Sequence, residues 1–317
     1  MSKKFSLRSI LSNFLVGTKI DFMGIHKAAL IASVVLTIAS ISLITFRGFN
    51  LGIDFSGGIL IEIKFQDKVE LSKLRELLDK KDLGEISLQN FDDQNFMIKV
   101  SQNKNVDQAL TVKQIKEIID HNFANSEYRK VDFVGPQIGK ELIMKGMLAL
   151  ILSFAAIMIY IWIRFDWQFG IGAILALIHD AVMVLGIFSL LGLEFNSTSI
   201  AAILTIIGYS INDSVVIYDR VRENLQKFKK TNLSDLINLS INSTLSRTIL
   251  TSSATLLSLI ALMVFGGEAL KSFSIAVFFG ILIGTYSSVY ISVPVLLYMD
   301  PRNKKAKKHS TKTADND

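Results

Sequence analysis

The side chains of this 317-residue sequence best suited to chemistry stand inside its most apolar stretches. Asp213 ends the run Gly208-Tyr-Ser-Ile-Asn-Asp213, with Asn212 and Ser214 beside it; His179 and Asp180 interrupt a second apolar run near its middle; Arg247 stands where a third begins. An ionisable group inside a membrane span is costly and is by default a candidate functional site. Carboxylates, an imidazole and a guanidinium at such depth can pass protons, or they can bind helices together through hydrogen bonds. Other chemistries find no support. There is no cysteine, and His121 is a lone histidine near a predicted helix end, where a surface or capping role suits it better than a metal. Gly267-Glu-Ala-Leu-Lys-Ser272 imitates the end of a P-loop but has Leu270 where glycine is needed. No H-E-x-x-H occurs. A membrane protease would need two aspartates at one depth, whereas Asp180 and Asp213 are offset by about two turns of their hairpin. The expectation is a non-enzyme with no catalytic residue, no metal and no cofactor.

These residues must be positioned by membrane helices. Half of the chain is hydrophobic and its mean hydropathy is +0.42. A hydrocarbon core of roughly 30 Å takes about 20 apolar residues to cross as a helix. Six runs meet or approach that length: Ala28–Phe46, Gly146–Ile163, Gln168–Leu191, Thr198–Tyr218, Thr248–Phe265 and Ser272–Tyr298. The fifth is short, and the polar stretch before it can extend its helix. The first is longer than a signal-peptide core, and bulky Thr45-Phe46-Arg47 follows instead of a cleavage site. Lysine and arginine gather before run one, after run four and after run six, which places both termini in the cytoplasm. The net charge of +6 is therefore mainly topological. The domains expected are a cytoplasmic segment 1–27 with an interfacial helix over Phe5–Leu15, span 1 at 28–46, a periplasmic domain at 47–145, spans 2–6 at 146–299 and a basic cytoplasmic tail at 300–317. The tail suits anionic lipid. Without interleaved aromatics it does not suit nucleic acid.

Periodicity shapes the segment between spans 1 and 2. Ile59, Ile61, Ile63 and Phe65 alternate with Leu60, Glu62 and Lys64, a strand pattern. Leu71, Leu74, Leu77 and Leu78 recur at helical spacing, as do Leu110, Ile115, Ile118 and Ile119. Short alternating runs at Glu85–Phe91 and Asn95–Ser101 flank a hairpin turn, and Tyr128–Val134 alternates again. The order βαββαβ is ferredoxin-like. The fold class expected is a polytopic α-helical membrane protein of six spans carrying one small α+β domain between spans 1 and 2.

Folding spans 3 and 4 as a hairpin about residues 194–195 sets Asp180 opposite Tyr209, give or take a turn. Tyr209 and Asp213 are i and i+4, on one helix face. Asp213 lies about six residues before the inner end of its span, roughly 9 Å deep. A chain Asp180–Tyr209–Asp213 follows, with His179 and Asn212 as further members and Arg247 near its inner end. A static network that only joins helices explains the same residues. In span 6, Ser272, Ala276, Gly280, Gly284, Ser288 and Ser292 recur every four residues, a stripe that allows close helix approach.

The stretch Gly208–Asn224 resembles the signature of the SecD/SecF family of protein-export membrane proteins, on its SecF side. The resemblance extends to Gly52-Ile-Asp-Phe-Ser-Gly-Gly58, Val134-Gly-Pro-Gln-Ile-Gly-Lys-Glu-Leu142, Arg164-Phe-Asp-Trp167, Leu177-Ile-His-Asp180, Leu245-Ser-Arg-Thr-Ile249 and Gly284-Thr-Tyr-Ser-Ser288, all in the family's order. Ser214 stands where threonine is usual and Gln168 where a basic residue is common. The resemblance covers about residues 20–300. It implies a pair with SecD, related to resistance–nodulation–division transporters, located in the bacterial inner membrane. It further implies association with the SecYEG channel and YajC, and use of the proton-motive force, in place of a cofactor, to promote preprotein translocation. By motif position, Asp213 and Arg247 are the residues it ties to proton movement. Two other readings are half of an exporter of a small molecule or lipid from the same superfamily, and a purely structural assembly subunit. The exporter would need a porter cleft, for which one βαββαβ unit is compact.

The topology is testable by cysteine labelling in cells with a permeabilised outer membrane. A cysteine within 92–95 labels from outside, and one within 226–231 does not. The reverse pattern defeats the six-span orientation.

Overall fold

The computed structural model describes residues 18–79, 86–101, 108–123 and 125–302. The expected interfacial helix Phe5–Leu15 and the tail beyond Arg302 lie outside these. In chain order the elements are α1 (His26–Arg47), β1 (Asn50–Leu51), α2 (Ile53–Ser56), β2 (Gly58–Lys64), α3 (Leu71–Asp79), β3 (Ile86–Asn90), β4 (Asn95–Val100), α4 (Gln108–Asn122), β5 (Glu127–Val134), α5 (Pro136–Arg164), α6 (Trp167–Leu191), β6 (Glu194–Phe195), α7 (Ser197–Lys227), α8 (Leu233–Phe265) and α9 (Glu268–Ser287). A π-helical turn at Ser288–Ser292 and a short α10 (Val295–Tyr298) follow. Six helices are long and apolar enough to cross a membrane, counting the run from Leu270 to Tyr298 as one. Three of them exceed their apolar runs by a wide margin: α5 starts at Pro136, α7 continues to Lys227, and α8 reaches back to Leu233 through a polar stretch.

The chain divides into two compact units. One comprises residues 50–150 and 194–200, the other 1–49, 151–193 and 201–317. In the first, the antiparallel sheet has the order β3-β4-β2-β5, which is the ferredoxin-like order. Ile61 is central, opposite Ile98 on one side and Val131 on the other. The alternation of β2 puts Ile59, Ile61 and Ile63 on the face covered by Leu74 and Leu78 of α3 and Ile115 and Ile119 of α4. The strand is also apolar on its second face. Leu60, on the opposite face from Ile59 and Ile61, is 4% exposed because Ile53 of α2 and Met97 pack on it. The turn from α2 into β2 needs two glycines: Gly57 and Gly58 have φ of 72° and 126°, which side-chain-bearing residues rarely adopt. His121 is exposed in the last turn of α4.

In the second unit α6 is central, packed by α1, α9 and the π-helical turn, while α8 packs on α9. Tyr218 of α7 is fully buried against Phe165 and Phe169, accepts a hydrogen bond from Ser292 Oγ at 2.6 Å and donates to Ser292 O at 3.3 Å. The polar beginning of α8 has a clear use. Asn242 and Asn238 bond the backbone of Ile20 and Met23, at 2.8 and 3.0 Å, and Asn238 Nδ2 also donates to Asp21 at 2.7 Å. Helix formation there satisfies asparagines that a lone turn would leave in solvent.

The small-residue stripe is a seam inside this chain. A Cβ on Gly284 would stand 3.0 Å from Ser210 Cβ, and one on Gly280 would strike Ile206, both residues of α7. Gly284→Leu overfills that seam and is expected to cost about 1–3 kcal/mol. The measurable outcome is a lower thermal midpoint and lower membrane abundance in detergent-purified protein. Wild-type values would mean that α9 and α7 separate without cost.

Candidate proton-coupling site

The buried carboxylates of the helical unit are held in opposite ways. Asp180 is 0% exposed, and both of its carboxylate oxygens are hydrogen-bonded. Ser210 Oγ of α7 donates to Oδ2 at 2.5 Å and Ser287 Oγ of α9 donates to it at 2.7 Å. His179 Nδ1 donates to Oδ1 at 3.0 Å. One carboxylate thus joins α6, α7 and α9. His179 is itself buried, and its Nε2 has no hydrogen-bond partner among the described residues.

Asp213 is equally enclosed, 3% exposed, but its Oδ2 has no hydrogen-bond partner among the described residues. Its charged neighbour is Arg247 of α8. No ion pair joins the two, and Arg247 lies on an exposed part of α8. Arg247 favours the carboxylate and the dry surroundings favour the neutral acid. Neither state of Asp213 is fastened by a network of the kind around Asp180.

The hairpin estimate needs one correction. Asp180 meets Ser210, not Tyr209. Tyr209 is one residue away, rotated about 100° around α7, and its hydroxyl lies 3.4 Å from Thr255 Oγ1 of α8. No hydrogen bond joins Asp180 to Tyr209, the first link of the expected chain Asp180–Tyr209–Asp213, although Ser210 lies within the turn allowed for in the hairpin estimate. Asn212 is exposed, whereas Asp213 next to it is buried. Together with Thr205 and Gly208 it forms an exposed small and polar face on α7.

A second constellation was missed in the sequence. Asp54 Oδ2 accepts from the backbone N–H of Ser197 at 2.9 Å and from its hydroxyl at 2.5 Å, which caps the start of α7. Asn196 Oδ1 satisfies Thr198 N and Ser199 N at 3.1 and 3.3 Å. Next to this cap, β1 pairs in parallel with β6, and Lys99 forms a buried ion pair with Glu194 at 2.9 Å. All of these residues lie in the sheet-bearing unit. The α6–α7 turn, six residues without a basic side chain, carried no sign of such a role in its composition. Asp213 lies sixteen residues along the helix that Asp54 caps.

Fold and site define a polytopic membrane protein with one ferredoxin-like domain and an incompletely compensated carboxyl within a span. The chain belongs to the SecD/SecF family of protein-export membrane proteins. Residues 114–302 match the family described as protein export membrane protein SecD/SecF, C-terminal, and residues 42–69 match the SecD/SecF GG motif. The chain is 51% identical over 290 residues to protein translocase subunit SecF of Rickettsia bellii (strain OSU 85-389), covering 91% of this chain and 95% of that one. It is 52% identical over 278 residues to the same subunit of Rickettsia rickettsii (strain Sheila Smith), covering 87% and 90%. Among solved structures it is similar to SecDF, a translocon-associated membrane protein from Thermus thermophilus, with a TM-score of 0.83 and 35% identity. That match covers 93% of this chain but 41% of the SecDF chain. SecDF in a super-membrane-facing form matches with a TM-score of 0.68 and 36% identity.

The contrast between the aspartates gives a prediction. Asp180→Ala leaves two serine hydroxyls and a histidine buried without their common acceptor, and costs about 3–5 kcal/mol, as for removal of one partner from a buried charged cluster. Asp213→Asn removes no hydrogen bond to Oδ2 and leaves the thermal midpoint near wild type. Equal midpoints for the two variants would contradict the assignment of Asp180 as the helix-joining residue.

Proposed function

We propose that this chain is the SecF-type subunit of a Sec translocase, and that it pairs with SecD and uses the proton-motive force to promote preprotein movement across the bacterial inner membrane. The observation that carries the reading is Asp213: buried, close to Arg247, and without a hydrogen bond to Oδ2 among the described residues. A residue that couples proton flow must change its charge without dismantling its surroundings, and Asp213 meets that requirement where Asp180 does not. One elementary charge crossing the membrane is worth roughly 2.3 kcal/mol per 100 mV, enough for repeated cycles to bias a conformational change.

Pairing with SecD is supported by the likeness to SecDF, a chain of which the match covers 41%, and by surface. The exposed face of Thr205, Gly208 and Asn212 on α7 is small and polar at membrane depth, as helix–helix contacts in lipid are. Tyr209, Asn212 and Arg247 would border that contact, and His179 and Asp180 would hold α7 beside it. We place the termini in the cytoplasm and the ferredoxin-like domain in the periplasm, from the distribution of lysine and arginine. SecYEG, YajC and the emerging preprotein are the partners this reading implies.

The test is preprotein export into inverted vesicles containing equal amounts of assembled complex, with and without an uncoupler. Asp213→Asn abolishes the uncoupler-sensitive stimulation, and Asp213→Glu keeps part of it because a titratable carboxyl remains. If the asparagine variant stimulates like wild type and stays uncoupler-sensitive, Asp213 does not carry the proton.

A further inference from the structure

The helical unit contains a cavity of about 600 Å³ that the coupling site does not use. Its lining includes Asp166 at the start of α6, Arg222 and Lys229 at the end of α7, and Arg302 after α10. Phe169 and Leu225 supply apolar wall. Three cations thus face one carboxylate. None of the three has an ion pair among the described residues. Their neighbours at the same end of α7 do: Arg220 and Lys227 both pair with Glu223, at 2.6 and 2.5 Å, and Arg164 pairs with Asp219 at 2.8 Å.

The two arginines of the cavity are oriented without being neutralised. Arg302 Nη2 donates to Thr231 O at 2.8 Å, and Arg222 Nη1 donates to Arg164 O at 3.3 Å. Arg302 Nε is buried and has no acceptor among the described residues. A buried, unpaired guanidinium N–H is costly, and two positioned guanidinium forks with an ammonium group suit a phosphate. The cavity lies at the end of a span: Asp166 immediately precedes α6, and exposed Trp162 and Trp167 stand on either side of Asp166 in the sequence, as tryptophans do at the headgroup level.

We propose that this cavity binds the phosphate group of an anionic phospholipid, with Arg222, Lys229 and Arg302 on the phosphate and Phe169 and Leu225 against the start of the acyl chains. The site is separate from the Asp213 machinery and does not depend on the translocase reading.

The experiment measures thermal unfolding of the full chain in detergent at constant ionic strength. The titrants are short-chain phosphatidylglycerol, short-chain phosphatidylcholine and inorganic phosphate. A ligand that binds the folded state raises the midpoint in a saturable way. Phosphatidylglycerol is expected to do so, and phosphatidylcholine to do so much less. Arg222→Gln with Lys229→Gln, both at exposed positions, raises the half-saturating concentration about tenfold or more. Leu225→Trp, which fills the cavity without changing charge, abolishes the saturable shift. Lys227→Gln with Lys230→Gln removes as much charge from the same helix end outside the cavity and leaves the titration unchanged. Stabilisation by inorganic phosphate at the same concentrations as phosphatidylglycerol would keep the phosphate site and assign it to a soluble source. No saturable shift with either phosphate probe, or equal weakening by the two double variants, overturns the proposal. So does stabilisation by a polyglutamate peptide alone, which would assign the cavity to an acidic protein segment.

Discussion

Asp180 accepts three hydrogen bonds at a fully buried position, and the helical unit is arranged around that fact. A carboxylate in a bilayer core must be compensated from within the protein. Here the compensation comes from the residue beside it and from two other spans, so α6, α7 and α9 are fastened at a single point. The small-residue seam of α9 follows from the same requirement. Ser287 reaches Asp180 only if α9 lies close to α7, and Gly280 and Gly284 make that approach possible. Close packing and polar satisfaction act here as one constraint.

Asp213 belongs to the same helix as Ser210, three residues further on, and its situation is different. The span is hydrogen-bonded beside it, while its own Oδ2 has no hydrogen-bond partner among the described residues. That division of labour suits a titrating group. A fixed scaffold keeps the carboxyl at its depth, and an arginine on a neighbouring helix supplies an opposing charge that helix movement can bring nearer or take away. The other end of α7 is governed by Asp54, whose carboxylate satisfies backbone groups that every helix start leaves open. One helix therefore starts on a carboxylate of the sheet-bearing unit and carries another carboxylate within the membrane.

Much of this was legible in the residues. The six spans followed from length and hydropathy, which measure the same property the bilayer selects. The βαββαβ order followed from periods of two and 3.6 residues, which are consequences of backbone geometry alone. The positions of Asp180, Asp213 and Arg247 stood out because charge is rare in such runs. What failed to show was everything that depends on pairs distant in sequence. Leu60 stands on the opposite strand face from Ile59 and Ile61, and Ile53 covers it. Asp54 looks like one more acidic residue in a glycine-rich turn, yet it caps a helix that starts 143 residues later.

The sequence by itself determined which segments enter the membrane, which elements form the small domain and which residue types carry charge at depth. These are local properties, set by side-chain transfer energies and by the repeat of the backbone. Only the tertiary structure decided that Ser210 and not Tyr209 meets Asp180, that Asn212 is exposed, and that Asp213 Oδ2 has no hydrogen-bond partner among the described residues. Those outcomes turn on the rotation of one helix about its axis. A single residue step rotates it by about 100°, and the rotation adopted is the one that packs glycine against serine and brings two hydroxyls to one carboxylate.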